Sequence, residues 1–207
     1  MSSFNSIPCV ATVSLLKAIK LKGEFLYAHS ISVGLLAERV GRALSLSEEK
    51  VHILKTAGLL HDIGKIAVCN QILLKPTILN AREWEQIKLH PIIGSKTLKT
   101  IPGFKEQSEI ILYHHVGVNG HSYPSDISYQ SIPFESKIIK ICDIFTALTS
   151  ERSYKTTYPK RNAIEICKKN APIKCKNLAE TIYNALLSAP LMTTKMREIV
   201  FDSNDNK

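Results

Sequence analysis

Apolar residues recur along this chain at intervals of three and four, the spacing of one face of an α-helix. In "EFLYAHSISVGLLAERVGRAL" the positions Leu26, Val33, Leu36, Val40 and Leu44 form one such stripe, and His29 falls on it. "SLSEEKVHILKTAGLLHDIGK" opens with a cap: Ser47, then Glu48 and Glu49 in the first turn, with Lys50 where a capping box would place Glu. Asn80 predicts the start of a helix through "AREWEQIKLH", which Pro91 breaks or kinks. "GFKEQSEIILYHH" reads as a helix ending near its histidines, and "FESKIIKICDIFTALT" as a strongly apolar one. A short helix is expected around 10–21, and two or three more over 160–203, ahead of the polar tail "DSNDNK". Gly117, Gly120, Pro124 and Pro133 mark 116–133 as loop. No convincing strand, repeat or low-complexity tract emerges, so the expected fold class is all-α.

Composition narrows the class of function. The 207 residues suit one domain with a small appendage, and 44% hydrophobic content is ordinary for a globular protein. A net charge of +9 fits anionic partners (phosphate-bearing ligands, nucleic acid, acidic membranes) or a plain solvated lysine surface. No aromatic-basic platform speaks for nucleic acid, and no apolar run is long enough for a bilayer. The five cysteines, Cys9, Cys69, Cys142, Cys167 and Cys175, are odd in number and lack a CxxC pair. With no secretory signal, they read as reduced, packed thiols in a cytoplasmic protein.

The chemistry starts at "HDIGK". Neighbours on a helix diverge by about 100°, so His61 and Asp62 reach one ion only where a helix ends. Alone, the pair is more commonly a satisfied core histidine beside a capping aspartate. However, His29, His90, His114, His115 and Asp143 also lie on or beside apolar stripes. Burying this set costs several kcal/mol unless its members are paired or hold metal. Five nitrogen donors and two carboxylates suit two six-coordinate first-row metals completed by water, Fe or Mn better than Zn. His52 and His121 fall outside the set, at the surface or in a lid.

His29, "HDIGK", "LLKPTILNAREWEQIKLHPIIG", "HH…SYP" and "DIFTALTSERSYK" follow one another in an order that resembles the HD-GYP branch of the HD phosphohydrolase superfamily, over roughly 24–158. The resemblance implies an HD-domain helical bundle around a binuclear metal site, flanked by a short N-terminal helical extension (1–23) and by C-terminal helices and tail (159–207). It implies hydrolysis of cyclic di-GMP or a related cyclic dinucleotide. Matched by position, His29, His61, Asp62 and Asp143 hold one metal. His90, His114 and His115 hold the second, with Asp62 bridging. Lys65 matches the lysine of the HDxGK signature, Tyr123 the tyrosine of GYP, and Arg152 and Lys155 the basic residues that take the ligand's phosphates. Two metals about 3.5–4 Å apart can acidify a bridging water and polarise a phosphodiester. Lys65 can offset charge on the phosphoryl oxygens, with Arg152 offering a planar fork and Lys155 a point charge. The structural alternative for Arg152 and Lys155 is a solvated helix end.

The motifs also depart from the family. Where HHExxDGxGYP is usual, Val116 replaces the Glu, Asn119 the Asp and Ser122 a Gly. None is a ligand position, so the metal site is expected intact behind an altered lid, with ligand binding kept better than turnover. Thr146 stands where a second Asp is frequent, and Thr77 where "KPG" has its glycine. Phe25 stands where three-metal members carry Glu, and Glu24 beside it is rotated away, so two metals are expected. The leading expectation is a metal-dependent cyclic-dinucleotide phosphodiesterase. A slow or inert binding receptor comes second, and a mononucleotide phosphohydrolase, which needs fewer ligands, third. Few residues precede the core, so no sensory domain is expected within this chain. A second copy or a signalling protein is an open partner; nucleic acid and membrane are not expected.

Overall fold

The computed structural model describes residues 6–118, 122–124, 127–150 and 157–190. They form ten α-helices and a 3₁₀ turn, with no strand among the described residues. Helix α1 is Ser6–Lys22, α2 Glu24–Ala43 and α3 Glu48–Leu60. The 3₁₀ turn Ile63–Ala67 and the single-turn α4 (Asn70–Leu73) follow. Then come α5 (Ala81–Lys88), α6 (His90–Lys99), α7 (Lys105–Leu112), α8 (Phe134–Thr149), α9 (Lys160–Asn170) and α10 (Lys176–Leu187).

Helix α2 is the hub, and α1, α3, α8 and α10 all pack on it. Leu26, Val33, Leu36 and Val40 of its stripe are buried. It ends in a Schellman-type cap: Leu46 N–H bonds Gly41 O, Ser45 N–H bonds Arg42 O, and Ser45 takes the left-handed conformation at φ 53°. Helix α3 starts where the cap predicts, with the Ser47 side chain accepting from Lys50 N–H. The two helices cross at backbone contact: a Cβ on Gly58 would lie 2.9 Å from Gly34 Cα. That close crossing sets the separation of His29 on α2 from His61 at the end of α3.

Helix α7 packs on α3 and α6, and α8 closes the bundle against α2. Leu16 and Ile19 of α1, Ile164 and Cys167 of α9, and Ile182 and Leu186 of α10 belong to the same buried cluster as the central helices. Arg39 of α2 fastens α10 by donating to the Ala185 and Ser188 carbonyls. A second, small cluster of Val68, Ile72 and Ile87 seats α5 beside the 3₁₀ turn. No helix among the described residues is long and apolar enough to cross a membrane. Cys142 and Cys167 are buried free thiols, but Cys69 and Cys175 are exposed, so the packing expected of every cysteine holds for only two of the four described.

Candidate metal centre

A helix leaves its last carbonyls without internal partners. Three histidines here use those carbonyls. His61, at the end of α3, bonds Gly58 O through Nδ1 at 2.8 Å. His90, after α5, bonds Ile87 O through Nδ1 at 2.7 Å. His114, after α7, bonds Ile111 O through Nδ1 at 2.6 Å. A carbonyl only accepts, so each Nδ1 carries the proton and each Nε2 presents a lone pair. The same i−3 device at three helix ends orients three imidazoles inward.

The donors gather in two adjacent groups. His29, His61 and Asp143 form one, with ligand atoms all within 4.8 Å of one another; Asp62, His90, His114 and His115 form the other to the same limit. Asp143, on α8, accepts from His29 Nε2 at 2.9 Å and lies 4.0 Å from His61 Nε2. Asp62 stands between the groups: Oδ2 is 3.4 Å from His61 Nε2, and Oδ1 is 3.2 Å from His90 Nε2. Lys65, one turn on, donates to Asp62 Oδ2 at 2.7 Å.

Burial and charge set the protonation states. Burial pushes His90 down to about 4, with the pull of Asp62 only partly opposing it. Burial likewise holds His114 and His115 well below the ordinary histidine range. It also lowers His61, but Asp62 and Asp143 outweigh it and bring that imidazole above its usual value. For Asp62 burial is an upward push that His61 and Lys65 overcome, holding the carboxyl well below its ordinary value. His90, His114 and His115 are therefore neutral nitrogen donors beside two ionised carboxylates.

These residues fit divalent cations on structural grounds. His90 and His114 bring their Nε2 atoms to 3.4 Å, and both rings have their protons on the far side. Two lone pairs so opposed repel unless a positive charge lies beside them. His61 Nε2 and Asp62 Oδ1 are buried without a hydrogen-bond partner, an arrangement that is costly for a polar atom with nothing to ligate.

The remaining predicted positions divide. Tyr123 stacks on the His115 ring, with centroids 4.5 Å apart and planes 24° from parallel. Burial raises its phenol far above the ordinary range, so it stays a protonated donor. Arg152, Lys155, Asn119 and His121 lie outside the described residues. His52 is exposed, as is Phe25, and Glu24 pairs loosely with Lys20 at the surface. Thr146, one turn beyond Asp143, is buried, and its hydroxyl has no hydrogen-bond partner. Of the three positions expected to alter the lid, Val116 and Ser122 are among the described residues. Val116 is fully buried in the main apolar cluster. The Ser122 hydroxyl accepts from Gly117 N–H at 2.9 Å and donates to Gly117 O at 2.8 Å, tying the loop to itself.

Three further contributors escaped the sequence reading. A Cβ on Gly64 would fall 2.0 Å from His90 O, so only glycine lets the 3₁₀ turn lie against α6 and bring Asp62 to His90. Lys140 donates to His115 O at 3.2 Å and steadies that backbone. Trp84 meets Tyr123 edge-on at 6.5 Å. Gly64 was visible as the glycine of "HDIGK", but nothing local tells a turn glycine from one pressed against a distant helix.

The HD-domain family profile matches residues 14–173. The chain belongs to the HD-domain family. Its motif order and its relatives place it in the HD-GYP branch. It is 32% identical over 164 residues to 3'3'-cGAMP-specific phosphodiesterase 3 of Vibrio cholerae, covering 79% of this chain and 35% of that protein. It is 39% identical over 136 residues to the cyclic di-GMP phosphodiesterase response regulator RpfG of Xanthomonas campestris, covering 65% and 35%. A cyclic di-GMP phosphodiesterase of Thermotoga maritima is 37% identical over 139 residues, covering 66% and 38%. The chain thus spans little more than a third of the length of these relatives. The HD domain of the phosphodiesterase PgpH from L. monocytogenes superposes with a TM-score of 0.62 at 21% identity, over 84% of this chain and 95% of that one, which shows a common fold.

Proposed function

We propose that this HD domain is a metal-dependent phosphodiesterase that hydrolyses a cyclic dinucleotide, cyclic di-GMP foremost. The observation that carries the reading is the pair of donor groups meeting at the Asp62 carboxylate. The relatives whose names state cyclic di-GMP or 3'3'-cGAMP phosphodiesterase activity support the substrate class. His29, His61, Asp62 and Asp143 would hold one cation, and His90, His114 and His115 a second, with Asp62 shared. Five imidazoles and two carboxylates favour Fe or Mn. Divalent cations there supply Lewis acidity toward a phosphodiester and lower the pKa of water.

The chain's own residues do the rest. Gly58, Ile87 and Ile111 carbonyls fix three imidazoles before any substrate arrives, so little reorganisation is left to the reaction. Lys65, held beside Asp62, is the cation that would offset charge gathering on phosphoryl oxygen. Tyr123, held protonated, offers a neutral donor beside His115. Arg152 and Lys155 take the phosphates.

The test is anaerobic preparation with Fe or Mn, elemental analysis, and chromatography of products from a panel of cyclic dinucleotides. Close to two metals per chain and hydrolysis of cyclic di-GMP are expected. A fully loaded protein that cleaves no cyclic dinucleotide would overturn the proposal.

A further inference from the structure

We propose that Trp84 is the platform on which one nucleobase of the cyclic dinucleotide stacks, making it a specificity-determining residue. This rests on the phosphodiesterase reading above. Trp84 is 46% exposed on α5 although it is a large aromatic side chain. It is not an isolated surface residue. Its ring meets Tyr123 edge-on, at 6.5 Å and 79°. Tyr123 in turn stacks on His115 and meets His90 edge-on at 6.1 Å. Trp84 therefore stands two ring contacts from the donor atoms, at the outer end of an aromatic row that begins at the metal centre. An edge-on contact sets the edge of one ring against the face of the other, so it occupies at most one of the two indole faces.

The residues beneath Trp84 hold it in register with the centre. Asn80 and Glu83 close a full capping box at the start of α5. Lys75 Nζ grips both Glu83 oxygens at 2.7 Å, so the residue next to Trp84 is anchored on two sides. One turn further, Ile87 is buried against Val68 and Ile72, and its carbonyl orients His90. One short helix thus carries both a donor's orienting carbonyl and the exposed indole. A substrate whose phosphate lies at the donors sends a nucleoside outward, and a flat π-face is what every nucleobase offers an aromatic side chain. Exposed aliphatic groups nearby in sequence, such as Ile78 and Leu74, share the exposure but not the ring contact with the site.

Trp84 is the chain's single tryptophan, so intrinsic fluorescence reports on it alone. The experiment compares the metal-loaded wild type with Trp84→Ala and Trp84→Phe on two substrates. One is cyclic di-GMP; the other is bis(p-nitrophenyl) phosphate, a phosphodiester without a nucleobase. Cyclic di-GMP should quench the wild-type emission on binding, and inorganic phosphate should not. Trp84→Ala should raise KM for cyclic di-GMP by roughly five- to hundred-fold, the range of one base–aromatic stack. Its loss on bis(p-nitrophenyl) phosphate should be several-fold smaller, and Trp84→Phe should recover most of the difference. Metal content and melting temperature, measured for each variant, identify any variant that is simply misfolded.

Equal losses on both substrates, or unmoved emission at saturating cyclic di-GMP, would overturn the proposal. So would a change of sedimentation coefficient in Trp84→Ala without a change in KM, which would make the indole a protein contact. If the wild type cleaves bis(p-nitrophenyl) phosphate but no cyclic dinucleotide, the phosphodiesterase reading fails for this substrate class. Quenching by cyclic di-GMP then decides the platform separately.

Discussion

Asp62 lies between the two donor groups. One oxygen faces His61 and Lys65, the other faces His90. Asp62→Ala should lose both metals, whereas His114→Ala should chiefly weaken the second; elemental analysis of anaerobically prepared variants distinguishes the two outcomes. Retention of full occupancy by Asp62→Ala would refute the shared ligand. The imidazoles also make the metal-free protein sensitive to acid. His90, His114 and His115 titrate below their ordinary value of 6.5 in the fold, His90 at about 4. Between those limits the unfolded chain binds more protons than the folded one, so stability falls as pH drops from 6.5 toward 4. His61 does not offset this fall, because the stability from its raised pKa is already fully present at pH 6.5 and is lost only as pH rises beyond it. The two aspartates, held low, add to the loss only below their ordinary range. Calorimetry of metal-free protein should show a melting temperature lower by roughly 5–10 °C at pH 4.5 than at pH 7. Bound metal should remove most of the change near neutral pH, where its ligands are already deprotonated.

Between elements, the controlling feature is the close approach of the 3₁₀ turn to α6. Gly64→Ala puts a carbon where His90 O already lies, and backbone cannot yield as a flexible side chain does. The turn must lift, and Asp62 then draws away from His90. The expected result is a lower melting temperature together with reduced metal content, whereas an ordinary surface Gly→Ala change would leave occupancy alone. The loop after α7 gives a second case. Val116→Glu restores the family's usual residue but buries a carboxylate in the apolar cluster, at a cost of roughly 3 kcal/mol or more. Thermal denaturation should show that loss, and single-turnover hydrolysis should show no gain in rate. A faster and equally stable variant would mean that position 116 turns toward the donors after all.

At the scale of the molecule, residues from both ends of the chain complete the core. Leu16, Ile19, Ile164, Cys167, Ile182 and Leu186 lie in one cluster with the helices that carry the histidine and aspartate groups. A fragment limited to 24–158 should therefore lose cooperative unfolding, and its circular dichroism melt should be broad beside the sharp transition of the full chain. Much of the architecture was legible in the residues themselves. Stripe periodicity predicted α2, α3 and α8, and the Ser47 and Asn80 caps placed helix starts correctly, because both signals are local. The histidines and aspartates were legible as a set through their places on apolar stripes and the order of their motifs. Their division into two groups around Asp62 followed there only from the family resemblance. Distances between residues far apart in the chain are decided by packing, and here the packing is backbone against backbone, at Gly34 with Gly58 and at Gly64 with His90. The same holds for Val116 and Trp84. Sequence shows an apolar residue beside a histidine pair and an aromatic on an amphipathic helix, and only the fold turns the first into the core and sets the second in line with Tyr123. Local propensity determines which segments become helices. The crossing of those helices determines which side chains share a site, since a single Cβ of extra separation is enough to part them.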